Sequence, residues 1–191
     1  MSLLKKGLKA HARCLGPKRL DEAVAAVLST ATRRGKPSGR VVLCRGVRSE
    51  GVVFFTNYLS RKGREVRDNP HVALCFYWPA LTQQVRVEGS IKKLSVRESD
   101  TYWARRPRIS QIGGLASPQS QRISGPAEMN QRSHALSELF EGLQVPRPAH
   151  WGGYLVRPRA VEFWTARPGR LHERRLFLKT VRGWKKFWLA P

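Results

Sequence analysis

The chain has 191 residues, of which 41% are hydrophobic, and it contains six Trp and seven Phe. A chain of this length and composition can bury a core within one domain, and it is unlike a disordered protein. No run of about 18 apolar residues occurs, so we expect no membrane-spanning helix.

The formal net charge is +23 and the pI is near 11.4, which raises the hypothesis of a nucleic-acid partner. However, the Lys and Arg residues are spread along the whole chain, and no helix-turn-helix, zinc-finger or RNA-recognition signature is present. We therefore interpret the charge as a diffuse field. Nucleic acid is not expected to be a physiological partner, beyond weak and salt-sensitive binding.

The three cysteines, Cys14, Cys44 and Cys75, show no CxxC spacing, and the last two lie inside apolar runs. Buried free thiols are therefore expected for these two, rather than a disulfide or a metal site. Free thiols suit a reducing compartment, and the N-terminus lacks the apolar core of a secretory signal peptide. These observations predict a cytoplasmic protein with no metal centre.

Residues 1–21 form a basic segment, whose first twenty residues hold six Lys or Arg and no acid. An amphipathic transit peptide has a similar composition. Because Gly7, Gly16 and Pro17 interrupt the segment, we favour a solvated, partly helical N-terminal arm. Residues 22–191 show neither a linker nor an internal repeat, and we interpret them as a single domain.

The remaining sequence alternates apolar segments with turn signals, which predicts a β-rich chain. Strands are predicted in the later part of 22–32 and at 40–47, 52–57, 71–78, 82–95, 152–158, 160–166, 175–181 and 183–191. Helices are predicted at 60–70, 96–107 and 127–143. The Gly-, Ser- and Gln-rich residues 108–125 show no clear period and are interpreted as a long functional loop. This order predicts a mainly antiparallel barrel with flanking helices.

Three groups of residues are candidates for chemistry. In the first, Arg40 and Arg45 share a strand, Thr56 ends the next strand, and Arg61 and Lys62 open a helix. Cations beside a helix N-terminus form a good phosphate site, because free N–H groups and the helix dipole both favour an anion. The alternative is a solvated basic surface.

The second group is Tyr102, Arg106 and Ser110, in which the i, i+4 spacing puts the first two on one helical face. A phenol, a guanidinium and a hydroxyl again suit a phosphate, and the alternative is an exposed helix end. The third group follows residues 162–164, where strand alternation would put Arg170, His172 and Arg174 on one face. An anionic or electron-rich ligand would relieve their mutual repulsion, and the alternative is a charged edge strand.

Five blocks of the sequence carry a resemblance: RVVLCR, VFFTNYLSRKGREVRDNP, YWPALTQQVRVEG, YWARRPRISQIGGLASPQSQRIS and WGGYLVRPRAVEFWTARPGRLHERR. In order and spacing they resemble the successive blocks of the pyridoxamine 5′-phosphate oxidase family. The resemblance runs from about residue 22 to residue 191, nearly nine-tenths of the chain. The combination of EFW…RLHER with RPRxSQIG…SxQS is its most specific part.

This resemblance implies an FMN-binding split β-barrel and a homodimer with two FMN sites at its interface. By match to the family's motifs, it assigns FMN contacts to Arg40, Val41, Val42, Leu43, Arg45, Phe55, Thr56, Arg61, Lys62, Gln84, Gln119, Ser120, Trp164 and Arg174. It assigns contacts with a small phosphorylated pyridine substrate to Arg45, Tyr102, Arg106, Ser110, Arg170 and His172. Within that set, Arg170 and His172 would lie over the pyridine ring as the candidate catalytic residues.

The implied activity is oxidation of pyridoxamine 5′-phosphate or pyridoxine 5′-phosphate to pyridoxal 5′-phosphate, with molecular oxygen reduced to hydrogen peroxide. The sequence departs from the family pattern at Arg45, where Lys is usual, at Phe55, where Tyr is common, at Thr165, and in its shorter N-terminal arm. These departures leave the preference between amine and alcohol substrates open.

Two other functions remain as alternatives. One is a related flavin oxidase of the phenazine-biosynthesis type, which also carries a RLHER-like ending. The retained phosphate set of Tyr102, Arg106 and Ser110 argues against it, because phenazine precursors lack a phosphate. The other is a non-catalytic protein that binds a flavin or nucleic acid on the same scaffold, for which the high charge is the argument.

Overall fold

The structure, a computed structural model, describes residues 1–15 and 23–191. In this part of the chain, eight antiparallel strands form one sheet in the order β3-β2-β1-β4-β5-β6-β7-β8. An additional pairing of β3 with β6 closes the first six strands into a barrel, and β7 and β8 extend from β6 as a hairpin. The strands are β1 (Ala25–Ala31), β2 (Pro37–Val47), β3 (Val52–Asn57), β4 (His71–Trp78), β5 (Gln83–Lys93), β6 (Trp151–Thr165), β7 (Glu173–Thr180) and β8 (Gly183–Leu189).

Helices flank the barrel, as the sequence predicted. They are α1 (Ser2–Leu15), α2 (Arg61–Asp68), α3 (Val96–Ala104), α4 (Arg108–Ala116) and α5 (Pro126–Leu139), with short 3-10 turns at Pro79–Leu81 and Pro168–Arg170. Helix α2 begins as predicted, because the Ser60 side chain accepts a hydrogen bond from the Gly63 N–H. Ser95 and Glu98 form a capping box at the start of α3.

The barrel interior is filled by alternate side chains of each strand. On β1, Ala26 and Leu28 point inward and are buried, whereas Val27 between them points outward and is 42% exposed. The largest fully buried side chains are Trp78 and the phenylalanines at 54 and 76. A smaller second core lies outside the barrel and contains Trp103, Ile112, Val145 and Trp151. The second core joins α3 and α4 to the start of β6.

The N-terminal arm is more ordered and more buried than predicted. Helix α1 packs on the barrel, with Leu4 at 0% and His11 at 2% exposure. Gly7 permits this contact, since a Cβ there would lie 2.4 Å from the Trp78 ring. The expected helix is thus present, and the expectation of a solvated arm is wrong only for the face that carries Leu4 and His11, because an apolar stripe lies among the lysines. The rest of the predicted arm, from residue 16 onward, lies outside the described residues.

Two further expectations need correction. Residues 108–116 are helix α4 rather than loop: Ile112 and Ala116 lie four apart and are both buried, a period that the intervening glycines obscured. Residues 152–166 hold one continuous strand rather than two. Pro158 fits within β6 because the register with β5 shifts beside Gly89, where a Cβ would lie only 2.0 Å from the Arg157 carbonyl oxygen.

Candidate active site

A cleft of about 440 Å³ opens between β2, β3 and the helices α3 and α4. Apart from Pro107, every lining residue had been proposed from the sequence as a cofactor or substrate contact. These residues are Val41, Val42, Leu43, Arg45, Phe55, Thr56, Lys62, Tyr102, Arg106, Ser110 and Gln119. The fold therefore brings together most of the first and second candidate groups.

One end of the cleft is built on the first turn of α2. Lys62 is only 9% exposed, and its ammonium donates to Gln119 Oε1 at 2.9 Å and to Thr56 Oγ1 at 3.1 Å. Ser60 Oγ lies 3.4 Å from the same nitrogen. These acceptors are neutral, and no carboxylate among residues 1–15 and 23–191 pairs with this ammonium. A buried cation at a helix N-terminus with only neutral acceptors suits a phosphate group.

Burial, and to a smaller extent the nearby charge of Arg40, lowers the pKa of Lys62 from its usual 10.5 to about 8. As the pH rises above about 8, the ammonium of the ligand-free protein loses its proton. A phosphate that requires this cation should then bind less tightly.

If the cleft binds the FMN that the sequence resemblance implies, its affinity for FMN should fall above about pH 8, by up to about tenfold per pH unit. Riboflavin, which lacks the phosphate, should show no such decline. Quenching of flavin fluorescence on titration with apoprotein at several pH values measures both affinities. A Lys62→Arg variant is the matched control, since a guanidinium stays protonated and should remove the alkaline decline. An unchanged FMN affinity through pH 9.5 in the original protein would contradict the assignment of Lys62.

The other end of the cleft holds Arg106, Tyr102 and Ser110. The Arg106 guanidinium donates to the Ser110 carbonyl oxygen at 2.8 Å, and its Nε is buried without a hydrogen-bond acceptor. Burial lowers the pKa of Arg106, although the neighbouring Tyr102 acts against this shift. No carboxylate in the described part of the chain pairs with Arg106. This end of the cleft is thus a second site suited to an anion.

Arg40 and Arg61 are held by one buried carboxylate. Glu65 is 6% exposed and lies 2.8 Å from Arg61 Nε and 3.2 Å from Arg40 Nη2. It also accepts hydrogen bonds from Thr30 at 2.5 Å and Ser38 at 2.6 Å. Arg40 therefore lies on the inner face of β2, opposite to Arg45, and the two do not converge as the strand grouping suggested.

A second group of predicted residues lies on β5, β6 and β7. Gln84 pairs with Trp164, and Trp164 pairs with Arg174. Arg174 donates to the buried carboxylate of Glu162 at 2.8 Å and to the Ala190 carbonyl oxygen at 3.0 Å. Four side chains that the family motifs assign to the site therefore lie close to one another: Gln84, Trp164, Arg174 and His172, whose ring neighbours that of Trp164.

The predicted alternation of Arg170, His172 and Arg174 is wrong. Arg170 ends a 3-10 turn with φ of 61°, and His172 precedes β7, so strand geometry does not apply to either. His172 instead turns back: its ring centre lies 4.7 Å from that of Trp164, and its Nδ1 accepts from the Arg167 N–H. Arg170 remains exposed.

The two groups share the outer face of the sheet but are not adjacent in one chain. Leu43 lies on β2 and Trp164 on β6, and the path between them along the curved sheet crosses four inter-strand steps, about 19 Å in all. The face between them exposes apolar side chains, with Val41 at 62%, Val27 at 42% and Tyr77 at 62%. Such a strip is typical of a surface that a protein partner covers. Ser120, also predicted, lies exposed beside the cleft with φ of 70°.

Sequence reasoning missed two residues beside the cleft, Glu65 and Trp151. The i, i+4 spacing of Arg61 and Glu65 on a predicted helix was a usable signal for the first. Trp151 gave no signal, because its contacts come from α3 and β3, far away in the sequence.

Comparison with known families decides the relationship. Residues 18–139 match the family model described as "Pyridoxamine 5'-phosphate oxidase". Residues 151–191 match a second model, described as "Pyridoxine 5'-phosphate oxidase C-terminal dimerisation region". The chain belongs to the pyridoxamine 5′-phosphate oxidase family. The resemblance drawn from the five sequence blocks is thus confirmed, and with it the assignment to a family of oxidoreductases.

Relatives from this family align with most of the chain. The pyridoxine/pyridoxamine 5′-phosphate oxidase of Rubrobacter xylanophilus is 50% identical over 172 residues, 90% of this chain and 79% of the relative. That of Anaeromyxobacter dehalogenans is 46% identical over 170 residues, 89% of this chain and 86% of the relative.

Solved structures agree with the family assignment and with the predicted split barrel. PhzG from Burkholderia lata 383, in complex with tetrahydrophenazine-1-carboxylic acid, has a TM-score of 0.92 at 31% identity, covering 100% of this chain and 91% of its own. A pyridoxamine 5′-phosphate oxidase-related, FMN-binding protein from Nostoc punctiforme has a TM-score of 0.74 at 18% identity, covering 97% of this chain and 96% of its own. The second likeness concerns the fold alone.

Residues 1–15 and 23–191 contain neither a membrane-spanning helix nor a cluster of metal ligands. None of their helices combines the length and apolar character needed to cross a bilayer. Their His, Cys, Asp and Glu side chains form no group of three or more placed to hold a metal ion.

All three cysteines are free thiols: Cys14, Cys44 and Cys75. Cys44 is buried, and this burial raises the pKa of its thiol to about 12.

Proposed function

We propose that the protein catalyses FMN-dependent oxidation of pyridoxamine 5′-phosphate or pyridoxine 5′-phosphate to pyridoxal 5′-phosphate, with oxygen reduced to hydrogen peroxide. The observation that carries this proposal is the pair of cations, Lys62 and Arg106, that line one cleft. Each is at least partly buried, and neither has a carboxylate partner in the described part of the chain. A cofactor phosphate would pair with the first cation, Lys62, and a substrate phosphate with the second, Arg106.

The residues present fit FMN. Lys62, Thr56 and the first turn of α2 offer a buried cation, a hydroxyl and free backbone N–H groups to a terminal phosphate. Val41 and Leu43 offer backbone and apolar surface along the cleft for the ring. Arg61, Gln119 and Ser120 lie beside the same end, and Arg40 supports it from the inner face.

Bound FMN would supply the two-electron acceptor that is reoxidised by oxygen. The chain itself would fix the substrate: Arg106, Tyr102 and Ser110 hold its phosphate, with Arg45 at the rim. Anchoring the phosphate fixes the position of C4′ relative to the rest of the cleft, and such orientation is a large part of catalysis. Arg170 and His172 would close over the pyridine ring, where His172 either orients the ring or takes a proton.

A homodimer completes this site. The second group, Gln84, Trp164 and Arg174, lies on the same outer sheet face as the cleft, but the path to it along the curved sheet crosses four inter-strand steps, about 19 Å in all. An exposed apolar strip lies between them, and residues 151–191 resemble a dimerisation region. We propose that two copies pack on this face, so that the second group of one copy completes the cleft of the other.

A phenazine-biosynthesis type of oxidase is the second candidate, favoured by the likeness to PhzG. The two functions differ at Arg106. The carboxylate of a phenazine precursor carries one charge and two acceptor oxygens, whereas a phosphate carries up to two charges and three such oxygens, so the three donors Arg106, Tyr102 and Ser110 are better matched by a phosphorylated pyridine. A cytoplasmic location is also proposed, because the three free cysteines suit a reducing compartment.

The purified protein is expected to be yellow and to release FMN rather than FAD on denaturation. Light scattering should give about twice the 21.7 kDa mass of one chain. Pyridoxamine 5′-phosphate or pyridoxine 5′-phosphate should yield pyridoxal 5′-phosphate, with hydrogen peroxide formed in equal amount. A colourless protein that FMN cannot reconstitute would overturn the proposal. Turnover of a dihydrophenazine carboxylate without turnover of either pyridine phosphate would favour the second candidate.

A further inference from the structure

Trp151 lies beside a stacked pair of aromatic side chains that line the cleft, Phe55 and Tyr102. It is the first residue of β6 and is 4% exposed. Its ring lies 5.7 Å from Phe55 with an interplanar angle of 13°, and 6.2 Å from Tyr102 with an angle of 12°. Phe55 and Tyr102 stack on each other at 3.7 Å. Tyr102, a predicted phosphate ligand, is therefore held by an aromatic stack.

The same indole ring also supports the guanidinium of Arg106. Arg106 Cζ lies 4.5 Å from the centre of the Trp151 ring and 5.4 Å from that of Trp103. Its fixed hydrogen bond is to the Ser110 carbonyl oxygen, and its buried Nε has no acceptor. A long, flexible side chain with one hydrogen bond and no paired carboxylate in the described residues would otherwise sample many positions. The aromatic face restricts it to one plane.

We propose that Trp151 is a positioning residue for recognition of the substrate phosphate, acting through Arg106. This inference rests on the proposed function. The indole face attracts the guanidinium by a cation–π contact, which is stronger where both groups are shielded from water. It keeps the donors of Arg106 in the cleft before the phosphate arrives, so that less ordering is required on binding. Trp151 itself lines the neighbouring 370 Å³ pocket that shares Arg106 and Ser110 with the cleft.

A simpler interpretation is that Trp151 is only core, because it also packs edge-on against Trp103 at 4.7 Å. The two interpretations differ in what a substitution changes. Loss of core packing lowers stability and affects every ligand alike. Loss of a positioning residue weakens the ligand that carries a phosphate and leaves the one without a phosphate unchanged.

The test uses the FMN-loaded protein and two unreactive probes, 4′-deoxypyridoxine 5′-phosphate and 4′-deoxypyridoxine, measured by calorimetry. Trp151→Leu is expected to weaken binding of the phosphorylated probe by about tenfold. Binding of the probe without a phosphate should stay unchanged. Trp151→Phe keeps an apolar ring in the core with a smaller π face, so it should fold and show an intermediate loss. FMN content and thermal unfolding are recorded for each variant.

A double-variant cycle shows whether Trp151 acts through Arg106. Arg106→Ala combined with Trp151→Leu should bind the phosphorylated probe no worse than Arg106→Ala alone. Additive losses, or wild-type affinity in both Trp151 variants, would overturn the inference. Trp78→Phe is the matched control: this buried tryptophan belongs to the barrel core, and its replacement should lower stability without changing probe affinity.

The same measurements separate this inference from the proposed function. If the original protein binds both probes equally, it has no site for a substrate phosphate, and both proposals fail together. If it prefers the phosphorylated probe and the Trp151 variants keep that preference, the proposed function stands and the inference about Trp151 is wrong.

Discussion

Replacing Arg106 with alanine is expected to lower kcat/KM for pyridoxamine 5′-phosphate by about ten- to a hundredfold. The variant loses a charge-assisted contact to the substrate phosphate, worth roughly 1.5–3 kcal/mol. FMN content should stay unchanged, because the cofactor phosphate is assigned to Lys62 at the other end of the cleft. Steady-state kinetics together with the visible spectrum of the purified variant measure both quantities.

Arg105→Ala is the matched control, since Arg105 is the exposed neighbour on the same turn and lies outside the cleft. Its kcat/KM should remain close to that of the original protein. An equal loss of FMN and of activity in Arg106→Ala would show that Arg106 binds the cofactor phosphate instead. A loss of the same size in both variants would point to the general positive field rather than to a specific contact.

Glu65→Gln is expected to lower the free energy of unfolding by about 3 kcal/mol or more, because it leaves two arginines beside a neutral amide. Glu65 is 6% exposed and holds Arg40 and Arg61, the first of which is 21% exposed. The exposed Arg61 side chain, at 54%, contributes little to this loss, since water screens it. Urea denaturation of the FMN-free protein at neutral pH measures the change.

The pH dependence of stability gives an independent check on Glu65. Burial raises the pKa of this carboxyl, but hydrogen bonds from Ser38, Thr30, Arg61 and Arg40 outweigh it and bring the pKa to about 2, against the usual 4.5. A lowered pKa means that the carboxylate stabilises the fold above about pH 4.5 and loses that effect as the pH falls towards 2. The Gln variant should lack this part of the acid transition. Glu128→Gln, which removes a glutamate from the helix surface of α5, should change stability far less.

The barrel was predictable because each strand carries a short-range signal. The segment 52–57 is almost wholly buried, and 82–93 alternates, as the structure reproduces in β3 and β5. Sequence-based prediction failed for segments whose structure is stabilised by contacts with residues distant in the sequence. Two glycines in 108–116 weaken the helical period, yet Ile112 packs on Trp103 and stabilises α4. Likewise, α1 has buried positions only because the barrel presents Trp78 to Gly7.

The cleft was found through family motifs, since spacing alone left each group of residues undecided. The motifs name ligand-contacting residues but not the side chains that hold them in place. Glu65 and Glu162 are of this second kind, each buried and each paired with an arginine that the motifs had named. Their pairing with Arg40 and Arg174 joins different segments of the chain, which no motif at one position records; only the i, i+4 spacing of Arg61 and Glu65 gave a local signal.

The distribution of the site over two groups of strands has a genetic consequence. A copy damaged in the cleft, such as Arg106→Ala, still carries an intact second group at Trp164 and Arg174. A copy damaged at Arg174 still carries an intact cleft. When the two defective alleles are expressed together, the proposed arrangement would let a mixed dimer combine the two undamaged parts into one working site, with both defects in the other. Complementation between two impaired alleles of the same gene is therefore an expected result of the proposed dimer.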